Sequence, residues 1–105
     1  MNQPSKVVHF NPDNPEHVQL KDAVYSIQKK HNKGTLCIWV SLEKALRLNC
    51  LDDDYTPADI LRECYYEGLC WIEQGGNIDN PIAWIRYASY RRITLLGKIH
   101  KCDRA

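Results

Sequence analysis

The 105-residue chain has no apolar run close to the roughly 20 residues that a bilayer-spanning helix requires. Its opening residues, Met-Asn-Gln-Pro-Ser-Lys, also lack the apolar stretch of a secretory signal peptide. We therefore expect neither a membrane protein nor a secreted precursor, but a cytoplasmic protein. Apolar residues make up 44% and charged residues 26% of the chain, which is typical of one folded globular domain.

Paired cysteine motifs are missing as well. The five cysteines are an odd number, and no two of them form a Cys-x-x-Cys pair. Because a disulfide framework usually needs an even number, the pattern favours reduced thiols that serve as small apolar core residues. The four histidines are scattered rather than grouped with cysteines at zinc-ligand spacing. We predict no metal site and no cofactor.

Signatures of catalysis are also lacking. Gly75-Gly76 is not followed by the Lys-Ser/Thr of a phosphate-binding loop, and no nucleophile with a nearby base has a local signature. The acidic run at 52–54 resembles the start of a calcium-binding loop, but Pro57 occupies the position that needs glycine. We predict a non-catalytic protein, with the alternative that distant side chains converge into an active site.

Helix signals divide the chain into four segments. Asn14-Pro15, Thr56-Pro57 and Asn80-Pro81 each place a capping side chain directly before proline, which favours the first helical position. Apolar residues recur at helical spacing after each of these signals, and also after Gly34. The predicted helices cover residues 15–30, 35–49, 57–73 and 81–99.

This pattern predicts an all-α fold, a small four-helix bundle. Ile38-Trp39-Val40 is β-prone, so a strand is the alternative at the start of the second helix. Residues 1–14 are rich in Asn and Pro and predict an N-terminal arm, which leaves residues 15–105 as a single helical domain. The sequence leaves open both the oligomeric state and the order of the arm.

Charge is distributed unevenly along the chain, although the net charge is only +1. Residues 1–51 carry a net charge of +3, residues 52–79 of −7 and residues 80–105 of +5. An asymmetry of this kind predicts different partners for different faces, and the basic C-terminal part is suited to a polyanion.

The predicted fourth helix has two faces. The face that we expect to join the core carries Ile82, Ile85, Ser89, Ile93 and Leu96. Cations alternate with aromatic rings on the opposite face, which carries Trp84, Tyr87, Arg91, Thr94 and Lys98. Such a face suits single-stranded or opening DNA, because cations neutralise phosphates and rings stack on bases. In the alternative, Trp84 and Leu95 complete a wide core face and the arginines are merely solvated.

The third helix carries three carboxylates along one edge, those of Asp59, Glu63 and Glu67. Like charges at intervals of four residues oppose helix formation, so positive charge is expected nearby. An internal source would be Arg86, Arg91 or Arg92 of the fourth helix. An external source would be a basic surface on a protein partner. The sequence allows both.

Two segments resemble the second conserved region of bacterial RNA polymerase sigma factors. They are residues 58–65 (Ala-Asp-Ile-Leu-Arg-Glu-Cys-Tyr) and residues 80–88 (Asn-Pro-Ile-Ala-Trp-Ile-Arg-Tyr-Ala), and the resemblance extends over about residues 56–101. Arg62 departs from the family, which often has glutamine there. No helix-turn-helix that would read a −35 element follows the resembling region, so the resemblance implies a stand-alone domain rather than a complete promoter-selecting factor.

The resemblance also implies roles for individual residues. The carboxylates Asp59 and Glu63 would bind the largest catalytic subunit of RNA polymerase. Glu67 is a further protein-binding candidate because it continues the same acidic edge of the third helix. Flipped or unstacked bases of a −10-like element would contact the rings of Trp84, Tyr87 and Tyr90. Phosphates would contact Arg86, Arg91, Arg92 and Lys98.

Two functions follow as predictions. The first is a sigma-region-2-like, non-catalytic transcription protein that binds RNA polymerase, promoter-like DNA or both. The alternative is a helical protein–protein interaction or regulatory module without nucleic-acid binding, in which the charged helices neutralise each other and the remaining surface binds a regulator or a second copy.

Overall fold

The structure, a computed structural model, describes residues 8–103, with side chains described for residues 8–100. Within this range the chain forms four α-helices and no strand. The helices are α1 (Pro15–Lys29), α2 (Lys33–Leu48), α3 (Pro57–Glu73) and α4 (Pro81–Asp103). The predicted all-α, four-helix bundle is confirmed, and the strand alternative at Ile38–Val40 is wrong because these residues lie inside α2. No helix in the described part is long and apolar enough to span a membrane.

The three cap signals read from the sequence are all present. The side chains of Asn14, Thr56 and Asn80 each accept a hydrogen bond from a backbone N–H in the first turn of the helix that follows. In α3, the Asp59 carboxylate accepts in return from the Thr56 backbone N–H at 2.9 Å, which completes a capping box. These local bonds fix where α1, α3 and α4 begin.

The start of α2 differs from its prediction by two residues. Asn32 Oδ1 accepts from the Thr35 backbone N–H at 2.9 Å, and Thr35 Oγ1 accepts from the Asn32 N–H at 3.0 Å. This reciprocal pair is a second capping box, and it places Gly34 in the first turn of α2 rather than in the preceding loop.

Residues from all four helices form one hydrophobic core. On α4, the predicted inner stripe faces this core: Ile85, Ser89 and Ile93 are buried, whereas Ile82 and Leu96 are half-buried. The inner face of the last helix is therefore confirmed, and the bundle fixes which face of α4 lies outside.

Gly68 of α3 lets two other helices approach its backbone. A Cβ atom at this position would lie 2.6 Å from Cδ2 of Leu20 in α1 and 3.2 Å from the Trp84 ring in α4. Because real Cβ atoms do not approach other atoms so closely in a packed core, only glycine fits here without movement. The absent side chain thus sets how deeply the Trp84 ring sits between α3 and α4.

The described residues before α1 are attached to the bundle through His17, which is fully buried. Its Nδ1 accepts a hydrogen bond from the Asn11 backbone N–H at 3.0 Å, so the neutral ring carries its hydrogen on Nε2. The Nε2 atom lies 3.1 Å from Oε1 of Glu73 at the end of α3, but the two groups are not aligned to form a hydrogen bond. Val8 also packs against the core. Residues 1–7 of the predicted arm lie outside the described residues.

Candidate nucleic-acid interface

The outer face of α4 is open to solvent. The Tyr87 side chain is 69% exposed, and Arg91, Thr94 and Lys98 are exposed along the same side of the helix. Trp84 lies at the edge of this face and is half-buried. The alternative in which Trp84 and Leu95 widen the core face is confirmed for Trp84, which packs against the core, and is wrong for Leu95, which is 53% exposed.

A groove of about 340 Å³ lies between α3 and α4. We call it the aromatic groove, and it is lined by Glu67, Cys70, Trp71, Gln74, Trp84, Tyr87, Ala88 and Arg91. Trp71 lies over Gly76, where a Cβ would collide with the indole ring, and remains 47% exposed. Trp71 is not among the predicted nucleic-acid-binding residues, because only the packing of α3 against α4 brings it beside Trp84 and Tyr87.

Four charged side chains join α3 to α4 beside this groove. Arg91 Nη2 donates to Glu67 Oε2 at 2.7 Å. Arg92 donates to two carboxylates, through Nη1 to Glu63 Oε2 at 3.0 Å and through Nη2 to Glu67 Oε1 at 2.8 Å. We call these four residues the clasp. They supply the internal compensation that the row of carboxylates required, and they explain how like charges are tolerated on one edge of α3.

The two arginines of the clasp differ in exposure. The Arg92 side chain is 30% exposed and that of Arg91 is 53% exposed. Partial burial tends to lower the pKa of Arg92, but hydrogen bonds with Glu67 and Cys64 outweigh it, so the pKa lies above its ordinary value. Arg92 is thus a permanently charged link inside the molecule, whereas more than half of Arg91 faces solvent.

The other predicted cations lie apart from the aromatic groove. Arg86 is exposed, and its guanidinium carbon lies 5.9 Å from the centre of the half-buried Tyr90 ring, at the outer limit of a cation–π contact. Arg86 also lines a second groove, of about 390 Å³, against the start of α2. Lys98 lies about 10 Å along the helix from Arg91, at 1.5 Å per residue. The structure therefore brings Trp84, Tyr87 and Arg91 together, and separates Arg86 and Tyr90 from them.

Asp59, the remaining member of the acidic edge, is engaged at the start of α3. Its carboxylate accepts a hydrogen bond from the Thr56 backbone N–H and lies 2.9 Å from Nη2 of Arg62. The Thr56 backbone N–H, with the Thr56 hydroxyl and Arg62, lowers the pKa of this carboxyl, so Asp59 is ionised at neutral pH. Its partners are the N-cap residue Thr56 and Arg62 of α3, and it takes no part in the clasp.

The cysteines are only partly the core residues that the sequence suggested. Cys64 is fully buried, but Cys37 and Cys50 are exposed and Cys70 lies half-buried in the wall of the aromatic groove. The prediction is therefore wrong for Cys37 and Cys50. Cys37 is a neighbour of the core residue Ile38, but it lines the second groove, against α4, and is exposed there. The Cys102 side chain lies outside the described residues. Among the described residues, no group of three or more potential metal ligands converges.

No family model, curated protein or solved structure matches this chain. The site itself combines three aromatic side chains, one exposed guanidinium and one carboxylate in a single open groove.

Proposed function

We propose that this chain is a non-catalytic, sigma-region-2-like transcription protein that takes unstacked bases of promoter-like, single-stranded DNA into its aromatic groove. The observation that carries this proposal is the convergence of Trp71, Trp84 and Tyr87 in one open groove with Arg91 at its edge. Rings exposed at such a place provide stacking surfaces without base-specific hydrogen bonds.

The chemistry of the groove is suited to a nucleotide. Stacking on an aromatic side chain contributes roughly 1–3 kcal/mol per base, and Tyr87, at 69% exposure, presents most of its ring to solvent. The Arg91 guanidinium carries five N–H donors, so its single bond to Glu67 leaves others for a phosphate oxygen. A base and its phosphate can thus be bound by neighbouring side chains of α4.

The proposed polymerase contact involves α3. Asp59, Glu63 and Glu67 remain partly exposed, at 37%, 50% and 31% of their side chains, while they hold partners within the molecule. A basic surface of the largest polymerase subunit would share these carboxylates with Arg62, Arg91 and Arg92. Binding to purified bacterial RNA polymerase core enzyme, measured with immobilised protein, tests this half of the proposal separately from DNA.

The DNA half is tested by titrating the protein with single-stranded oligonucleotides while following tryptophan fluorescence. We expect quenching on binding, because Trp71 and Trp84 line the groove. Tyr87→Ala should weaken binding by about 1–3 kcal/mol if the ring stacks on one base. Tyr25→Ala is the matched control, since Tyr25 is a comparably exposed tyrosine on α1. No binding by the wild type, or equal affinities for the two variants, would contradict the proposal.

A second candidate is a protein-interaction module that does not bind nucleic acid. The clasp favours it, because Glu63 and Glu67 already neutralise much of the positive charge of Arg91 and Arg92. Large apolar side chains are also exposed, among them Leu48, Leu95 and Ile99. Self-association in gel filtration, together with unchanged tryptophan fluorescence in the presence of DNA, would favour this candidate.

A further inference from the structure

Glu67 belongs both to the aromatic groove and to the clasp. It lines the aromatic groove, and its two carboxylate oxygens bind different arginines, Oε2 to Arg91 and Oε1 to Arg92. A carboxylate in the wall of a groove that we propose for nucleic acid repels phosphate and occupies the one guanidinium of the groove. Both effects oppose binding.

We propose that Glu67 is a built-in competitor for nucleic-acid phosphate, and that Arg91 exchanges Glu67 for a phosphate oxygen when a strand enters the aromatic groove. The inference rests on the proposed function and adds a regulatory element to that site. In the unbound protein, Glu67 holds Arg91 against α3. In the bound protein, Arg91 turns toward the strand while Glu67 stays with Arg92.

The different contacts of the two arginines make this exchange feasible. Arg91 has one carboxylate partner and a side chain that is 53% exposed, so its release breaks a single surface ion pair. Arg92 keeps both Glu63 and Glu67 and is 30% exposed. Because Arg92 remains bound, the Glu67 carboxylate is not left without a partner when Arg91 leaves, and α3 and α4 stay joined.

The central test is Glu67→Gln, which preserves the shape of the side chain and removes its charge. We expect its affinity for a single-stranded oligonucleotide to rise about two- to fivefold, since exposed ion pairs of this kind are weak. The plot of log affinity against log salt concentration should also steepen, by less than the roughly 0.7 of one phosphate contact on a single strand. The reason is that salt weakens the Arg91–Glu67 pair that must break when the wild type binds, and the variant lacks this pair. Asp22→Asn on α1 removes the same charge from an exposed site elsewhere and should change neither quantity.

A double variant separates exchange from simple repulsion. If Glu67 acts by holding Arg91, then Glu67→Gln should bring no gain in a protein that already carries Arg91→Gln. If Glu67 merely repels phosphate, the gain should persist in that background, and the inference would be wrong. Glu67→Ala repeats the comparison if the glutamine variant does not fold, because Glu63 still holds Arg92.

The outcomes also separate this inference from the proposed function. If the wild-type protein binds DNA and Tyr87→Ala lowers its affinity, the proposed function stands. If Glu67→Gln then changes neither the affinity nor the salt slope, the inference alone is wrong. Wild-type protein that fails to bind any strand would remove the proposed function, and the inference with it.

Discussion

Cys64 and Cys37 show how position decides the chemistry of the same side chain. Cys64 is fully buried, and the Ser89 hydroxyl donates to its sulfur at 3.7 Å. Burial raises the pKa of this thiol above its ordinary value of 9.0, and hydrogen bonds with Ser89 and Arg92 offset only part of the effect. Cys37, in contrast, is exposed on α2. Because the thiolate is the reactive form, the two residues should differ strongly in reactivity.

We therefore expect iodoacetamide at pH 8 to modify Cys37 in the folded protein and to leave Cys64 unmodified until urea unfolds the chain. Peptide mass spectrometry after timed labelling measures both sites in one experiment. Comparable labelling rates at Cys37 and Cys64 in the folded protein would contradict the burial of Cys64.

The raised pKa of the Cys64 thiol also makes the stability of the fold depend on pH. The stability that protonated Cys64 contributes is lost as pH rises from 9.0 through the folded-state pKa.

At the scale of the element, α3 depends on the bonds at its first turn. Thr56 Oγ1 accepts from the Asp59 N–H, and Asp59 accepts from the Thr56 N–H. Thr56→Ala should lower the free energy of unfolding by about 1 kcal/mol, because it removes the N-cap acceptor. Thr56→Ser keeps a hydroxyl and is the control. Urea denaturation at pH 7 measures both variants, and a midpoint for the alanine variant equal to that of the serine variant would show that the cap contributes nothing.

The same turn makes the stability that α3 contributes depend on pH. Hydrogen bonds from Thr56, with the charge of Arg62, hold the pKa of Asp59 below its ordinary 3.8. The carboxylate therefore contributes stability above pH 3.8, and this contribution is lost as pH falls through the lower folded-state pKa. Asp59→Asn should be less stable than wild type at pH 7, and the difference should shrink once the pH is lowered below 3.8. A difference that stays constant over this range, in urea denaturation at several pH values, would contradict the assignment.

At the scale of the whole molecule, folding joins the most acidic part of the chain to its most basic part. The clasp forms ion pairs between α3 and α4 beside their shared core, and Arg92 is the residue that bridges both glutamates. Arg92→Gln should lower the free energy of unfolding by about 1.5–3 kcal/mol, because it removes charge-assisted hydrogen bonds in a half-buried site. Arg86→Gln removes an exposed arginine of the same helix and should change stability by less than about 0.5 kcal/mol. Equal unfolding midpoints for these two variants would mean that the clasp does not stabilise the bundle.

Whether a feature could be predicted from the sequence depends on how far apart in the chain its interacting residues lie. The starts of α1, α3 and α4 were predicted correctly, because a cap and the proline after it are adjacent in sequence. The start of α2 was missed, since Asn32 and Thr35 form a capping box without proline. The clasp was one of two alternatives, because the same carboxylates suit an internal or an external cation. Trp71 entered the aromatic groove only through the packing of α3 against α4, a contact between segments that no local pattern encodes.

The buried imidazole of His17 limits how far the chain can be shortened for experiment. A fragment that begins at Pro15 retains the full sequence of every helix but loses the Asn11 amide, which is the hydrogen-bond donor to Nδ1. Loss of the donor to a buried acceptor costs roughly 1–3 kcal/mol, and less where water takes the place of the donor. Expression fragments, fusion junctions and protease sites should therefore be placed upstream of Asn11, even where only the helices are wanted.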